Sequence, residues 1–306
     1  HTSKLPTFVW LYSFNFIVMI FKQLIFFLIL LFMPLSALTK SDTLKVMSWN
    51  LFLRPGILSD GQMDRVSSIG SYLICSGADV IVLQEVFHRR ARKRLLQELD
   101  DWYEYHTSLG PKSFFGVSSG VLIFSKHPII EEKFVSYSKS KGADGLAKKG
   151  VVLAKIRFGK QDIHVVGTHL QAGASSAAKS IQKSQLVELA NAVNLIGDSS
   201  IVILAGDFNI TPDEKLFAYL SNSLQVELPD LSPPFYATAN FADQDLFPAE
   251  GEPVWIDYIF LKKTTRAKQK STWIERIFLK NWDRFSDHDM IYSVFEMKGN
   301  NKELYD

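Results

Sequence analysis

The chain has 306 residues, 47% of them hydrophobic, which exceeds the typical domain of about 100–200 residues yet fits one large α/β sandwich. Lys and Arg total 34 against 32 Asp and Glu, so the formal charge is only +2 and no strong basic field advertises a nucleic-acid partner. The single cysteine, Cys75, excludes an intrachain disulfide and any Cys-x-x-Cys motif, and its amphipathic setting over 65–77 reads as a small buried hydrophobe.

In chain order, residues 8–33 come first, apolar except for Ser13, Asn15, Lys22 and Gln23. The piece 24–33, followed by Pro34-Leu35-Ser36-Ala37, matches the short apolar and small-residue regions of a secretory signal. The expectation is a signal region over 1–37 with its start at Met19, cleavage after Ala37 and a secreted product. A membrane anchor is the alternative, since about 20 uninterrupted apolar residues span a bilayer. Lys22 and Gln23 argue against one long span.

Strands are predicted over 44–52, 79–86, 120–124, 151–158, 163–169, 201–208, 253–261 and 290–297, from β-branched and aromatic runs bounded by turn residues. Helices are predicted over 62–76, 88–99, 179–196 and 212–221. In the third helix Ile181, Leu186, Leu189, Val193 and Ile196 recur at helical spacing before the stop signal Gly197-Asp198. Strands with interspersed helices and no internal repeat imply one domain over 44–297, built of two packed sheets with helices outside, then a polar tail over 298–306. Residues 139–149 and 229–252 read as long functional or mobile loops.

Six polar islands sit in or beside these strands: Ser48-Trp49-Asn50, Leu83-Gln84-Glu85, Thr168-His169-Leu170-Gln171, Gly206-Asp207-Phe208-Asn209, Ile256-Asp257-Tyr258 and Ser286-Asp287-His288. Asn50 and Glu85 each place one polar group at a buried strand's tip, where loops build active sites. A carboxylate and an amide carbonyl are hard oxygen ligands suited to Mg²⁺. Gly206 permits close backbone approach, and Asp207 and Asn209, two apart on an extended chain, are expected to share a face. Of seven histidines, His88, His106, His127 and His164 read as structural or solvated. His169 and His288, at strand ends, are candidates for proton transfer near neutral pH, with Asp257 placed to fix a tautomer.

Taken together, the islands resemble those of the endonuclease/exonuclease/phosphatase superfamily, and within it the secreted bacterial neutral sphingomyelinases, over roughly residues 44–297. The resemblance implies a four-layer α/β/β/α sandwich of the deoxyribonuclease-like type. It implies that Asn50 and Glu85 form the metal site, Asp207 and Asn209 the Gly-Asp-x-Asn pair, and Asp257 with His288 the orienting carboxylate and general base. His169 matches the histidine on the scissile phosphate and Asp287 the aspartate before the base. Mg²⁺ is the implied cofactor, with Mn²⁺ or Co²⁺ as alternatives.

These islands are shared with nucleases, and the substrate class rests on two further stretches. Residues 168–172 with Gln185-Leu186-Val187-Glu188 are similar to the sphingomyelinase version, and so is Asp144, a four-residue gap and Lys149-Gly150 before a strand. Lys149 supplies a point charge for a phosphodiester; a mobile basic loop is the alternative reading. The Cys-Asp-Arg usual in inositol-phosphate phosphatases is absent at 256–258. His88-Arg89 replaces the Asp-Asn of many bacterial relatives, which argues against a second cation site at that edge.

The segment 262–284 is basic and carries Trp273, Ile274, Ile277, Phe278 and Trp282, where relatives place a membrane-touching hairpin. A short amphipathic helix over 272–280 is the alternative. The expected activity is Mg²⁺-dependent hydrolysis of sphingomyelin in a membrane surface, with no obligate protein partner. A secreted deoxyribonuclease-like endonuclease is the alternative enzyme. A catalytically idle membrane-binding module is weighed against by the intact carboxylates and histidines.

Overall fold

The computed structural model describes residues 43–58, 61–240, 252–277 and 284–298. All of these residues belong to one compact unit, Asp42–Asp306. The signal region expected over 1–37, Phe278, Trp282 and the tail beyond Lys298 lie outside the described residues. Among the described residues no helix is long and apolar enough to cross a membrane.

The central strand of the first sheet is β1 (Thr43–Leu53), parallel to β2 (Val80–Val86) and antiparallel to β12 (Met290–Met297). β4 (Leu122–Ser125) and the short β3 (Tyr105–His106) extend the sheet beyond β2, and β11 (Ala267–Glu275) and the short β9 (Leu231–Ser232) extend it beyond β12. The second sheet runs in the order β10 (Asp257–Leu261), β8 (Ile201–Asp207), β7 (Gln161–His169), β6 (Gly150–Phe158) and β5 (Ile129–Ser136).

Side-chain alternation assigns each face its partner. Val46, Val80, Val82 and Ile291 of one sheet meet Ala154, Val165, Ile203 and Ile259 of the other in a core between the sheets. On the outer face of the first sheet, Met47, Trp49, Ile81 and Leu83 pack on α1 (Gln62–Cys75) and α2 (Arg89–Leu99). On the outer face of the second, Val166, Leu204, Tyr258 and Phe260 pack on α3 (Ser176–Asn194) and α4 (Lys215–Leu224). The four-layer α/β/β/α architecture expected above is the architecture observed.

Several local expectations change. Residues 253–256 are not part of β10: Val254 makes only an isolated bridge to Ala239. Residues 272–275 of the expected amphipathic helix are strand instead, because β11 pairs with β12 from Ala267 to Glu275. Trp273 stacks on Tyr292 at 5.1 Å and 7°, with Lys45 Nζ 5.0 Å from the Tyr292 ring centre, so it packs on the sheet. Cys75 is exposed rather than buried, since α1 buries Val66, Ile69 and Leu73 and Cys75 points away from that stripe. The segment 139–149 is tied down by a 3-10 turn over Gly142–Leu146 and by the buried Lys149.

Candidate active site

Alternation carries the polar islands to one place. On β1 the inward-facing row Leu44, Val46, Ser48 ends in Asn50; on β8 the row Ile201, Ile203, Ala205 ends in Asp207. On β7 the row Ile163, Val165, Gly167 ends in His169, and on β10 Asp257 begins the row that continues with Ile259. Register sets Asp207 opposite both His169 and Asp257. The polar groups thus converge at one end of the seam between the sheets.

Glu85 follows a different route. Alternation along β2 would send it to the helical face, but its backbone is left-handed at φ 55° and its side chain reaches Asn50. Asn50 Nδ2 donates to Glu85 Oε1 at 3.2 Å and to Asp207 Oδ2 at 3.1 Å, while its Oδ1 accepts from Phe52 N at 3.1 Å. The last contact fixes the amide orientation, since a flipped amide would set Nδ2 against the Phe52 N–H.

Asn209 departs from the expected strand geometry. The strand stops at Asp207, and Asn209 is left-handed at φ 53°. Its N–H donates to Asp207 Oδ1 at 2.9 Å and its Nδ2 donates to the Leu170 carbonyl at 3.3 Å. The two residues are joined by this bond from the Asn209 backbone N–H to the Asp207 carboxylate and do not share a strand face.

His288 lies on the loop entering β12, held by its own N–H to Ser286 Oγ at 3.2 Å and by Trp49 Nε1 donating to its carbonyl at 2.9 Å. Its Nδ1 is 2.7 Å from Asp257 Oδ2; its Nε2 is 3.8 Å from Asp207 Oδ2 and 4.0 Å from Asp287 Oδ1. Burial pulls the imidazole pKa down, but Asp257, Asp287 and Asp207 lift it well above 6.5. His169 is opposite in character. Burial, reinforced by the charge of Lys149, pushes it down to about 3, so it is a neutral imidazole, with Nε2 3.5 Å from Asp207 Oδ2.

Lys149 is buried and held by Asp144 Oδ1 at 2.8 Å and the Leu170 carbonyl at 2.7 Å. Asp144 also accepts from Gln171 Nε2 at 2.8 Å and Ala172 N at 2.7 Å. The lysine is therefore a fixed charge beside the histidine. Two supporting residues had no assigned role at the level of sequence. Asp144 was visible in its spacing to Lys149. Thr238, whose Oγ1 accepts from Ile256 N at 3.1 Å and Asp257 N at 3.0 Å, sits in an irregular segment with no pattern to single it out.

Ligand atoms of Asp207, Asp257 and His288 lie within 4.8 Å of one another, a group that could hold a metal ion. The 2.7 Å Nδ1–Oδ2 contact is instead of hydrogen-bond length, so a proton occupies that line. Glu85 offers a better place for a hard cation. Burial, and then the Asp287 carboxylate, push its pKa up to about 7, and burial followed by Asp257 raises Asp207. Oxygen donors crowded so that they resist ionising are what a divalent cation relieves, and the donor set fits one.

A model of the Endonuclease/Exonuclease/phosphatase family matches residues 47–288. A Sphingomyelinase C of Bacillus cereus is 30% identical over 259 residues, covering 74% of this chain and 78% of that protein. The crystal structure of a beta toxin from Staphylococcus aureus superposes with a TM-score of 0.72 at 26% identity, covering 82% of this chain and 99% of the other. A beta toxin mutant from the same organism, solved with bound magnesium ions, gives 0.70 at 23% identity, with 84% and 99% covered. The matched span takes in every polar island of the site, and the chain belongs to the endonuclease/exonuclease/phosphatase family.

Proposed function

We propose that the chain is a secreted, Mg²⁺-dependent phosphodiesterase that hydrolyses sphingomyelin to ceramide and phosphocholine. The observation that carries this reading is the buried His288–Asp257 pair at 2.7 Å facing Asp207 and the Glu85–Asn50 group in a chain whose relatives are named as sphingomyelinases. Glu85 would hold the ion, and Asn50, whose Nδ2 donates to Glu85 and Asp207 while its oxygen accepts from Phe52 N, would position those carboxylates. When bound, Mg²⁺ neutralises charge on the phosphate and the leaving alkoxide.

His288, oriented by Asp257, takes a proton from water at Nε2. Asp207 orients that water, and Asn209, bonded to Asp207 through its backbone, positions the phosphate. His169, neutral, donates a hydrogen bond to a non-bridging oxygen as charge grows there. Lys149 adds fixed positive charge to the phosphodiester's surroundings, and Asp287 supports the base electrostatically. The bond from phosphorus to the ceramide oxygen breaks, the water oxygen stays on phosphocholine, and ceramide leaves with a proton.

Two expectations test these roles. Glu85→Gln keeps the shape and removes the charge, so the Mg²⁺ concentration for half-maximal rate should rise at least tenfold; an unchanged requirement in a metal titration assigns the ion elsewhere. The base works only when deprotonated, so turnover should fall as pH drops through the raised His288 pKa. Asp287 helps to raise that pKa, and Asp287→Asn should move the acid limb of the kcat profile to lower pH. An unmoved limb would separate Asp287 from the base.

The reading as a whole is tested by phosphocholine release from sphingomyelin vesicles with Mg²⁺ and with chelator, duplex DNA being offered in parallel. Metal-dependent release with DNA untouched supports it. DNA cleavage without release would leave the family chemistry and replace the substrate.

A further inference from the structure

Two loops at the site's end of the first sheet expose apolar side chains that no core uses. After β1 the chain turns at Pro55 and leaves Ile57 91% exposed. Between β3 and β4 the chain leaves Phe114 99% and Phe115 63% exposed, their rings edge to face at 5.5 Å. Both loops border one cleft of about 280 Å³, lined among others by Pro55, Phe87, Arg89, Arg92, Lys112 and Gly116.

The cleft lining holds three cations and no carboxylate. None of Arg89, Arg92 and Lys112 forms a salt bridge among the described residues, and Arg92 is anchored on the carbonyls of Val86 and Phe87 at 3.0 and 3.3 Å. Burial and the neighbouring Arg89 lower the Arg92 pKa. Helix α2 extends the charge. Five of its first six residues are basic, with like charges one turn apart at Arg89 and Arg92 and at Arg89 and Lys93, an arrangement that destabilises a helix unless something anionic lies over it. Among the described residues, only Arg94 of this helix finds a carboxylate, Glu98, at 2.6 Å.

The strands fix where this surface faces. β1 ends beyond Asn50 and β2 beyond Glu85, and the loops leaving those ends carry Pro55–Ile57 and Phe87–Arg89. Across the cleft, Val117 bridges Ala147 and accepts from Lys148 N at 3.2 Å, next to the site lysine, Lys149. Apolar tips that project singly around a cationic cleft suit an interface whose acyl chains receive the tips and whose phosphates meet the cations.

We propose that Ile57, Phe114 and Phe115, with Arg89, Arg92 and Lys112, form a docking surface for a lipid bilayer bearing anionic phosphate headgroups. This surface lies beside the candidate active site and is separate from the residues assigned to the reacting phosphodiester. The proposal rests on the lipid-hydrolase reading only for its biological sense, because docking is measurable without turnover.

The test is co-sedimentation of the protein with phosphatidylcholine vesicles, with and without phosphatidylserine and free of sphingomyelin. The variants are Phe114→Ser/Phe115→Ser and Arg89→Gln/Lys112→Gln, each checked for a parent-like thermal midpoint. The parent should bind phosphatidylserine vesicles more tightly, and salt should weaken that binding. The charge variant should lose affinity for them by about fivefold per charge removed. The aromatic variant should lose roughly tenfold or more on both vesicle types, because its loss is of buried apolar area.

Binding by both variants equal to the parent's overturns the proposal. Displacement of the parent by inorganic phosphate, with the aromatic variant still binding fully, also overturns it and marks a soluble-anion site. Variants that lose vesicle binding while the parent fails to cleave sphingomyelin would keep the docking surface and reject the substrate reading.

Discussion

Replacing His288 with alanine is expected to lower kcat by about 10²–10⁴-fold, the range for loss of a general base. The side chain is the only imidazole in the site that carboxylates hold toward the protonated form, through Asp257, Asp287 and Asp207, whereas His169 is pushed down to about 3 and is a weak proton acceptor. The substitution leaves the local backbone supported. The His288 N–H bond to Ser286 Oγ at 3.2 Å and the Trp49 bond to the His288 carbonyl at 2.9 Å need no imidazole. Activity should therefore collapse while the thermal midpoint stays near the parent's, a split that paired steady-state kinetics and calorimetry would read. Near-parent turnover would remove His288 from the proton transfer.

Gly206→Ala is expected to have the largest effect on stability. A Cβ there would lie 2.0 Å from the Thr168 carbonyl oxygen and 3.0 Å from its carbon, at a backbone φ of 153° that L side chains rarely adopt. Neighbouring strands β7 and β8 are hydrogen-bonded at this register, so the clash falls on backbone and must separate the strands that place His169 and Asp207. Overpacking and backbone strain each cost about 1–3 kcal/mol, a sum that approaches the whole stability of a marginal domain at about 5–15 kcal/mol. Gly197→Ala is the comparison, because its φ is 89° with nothing within 4 Å, leaving only the conformational cost. Thermal or urea denaturation should show Gly206→Ala far below Gly197→Ala; equal midpoints would mean that the strands can part without penalty.

Much of the site was legible in the sequence because its residues end inward-facing rows. Asn50, Asp207 and His169 each close an apolar run whose period of two fixes the face. Glu85 was legible as a polar residue at a strand's end, but the left-handed turn that brings it to Asn50 has no glycine to announce it. Asn209 followed a rule for extended chain that its left-handed backbone does not obey.

The two long strands that went unseen are polar for strands. β5 exposes Glu131, Glu132 and Lys133 in sequence at a sheet edge, so it lacks the alternation that marks a half-buried strand. β11 reads Ala-Lys-Gln-Lys-Ser-Thr-Trp-Ile-Glu, in a segment where the resemblance implied a membrane-touching hairpin and an amphipathic helix was the alternative, and its pairing with β12 makes it a strand. The partners of Lys149 needed the fold, since Leu170 supplies a backbone carbonyl that composition cannot signal.

In the mechanism proposed for this chain, a water activated by His288 attacks phosphorus and ceramide departs. The most direct measurement is hydrolysis of sphingomyelin in water enriched in heavy oxygen, followed by mass spectrometry of both products. One solvent oxygen is expected in phosphocholine and none in ceramide. Label in ceramide, or release of free choline in place of phosphocholine, would contradict that mechanism.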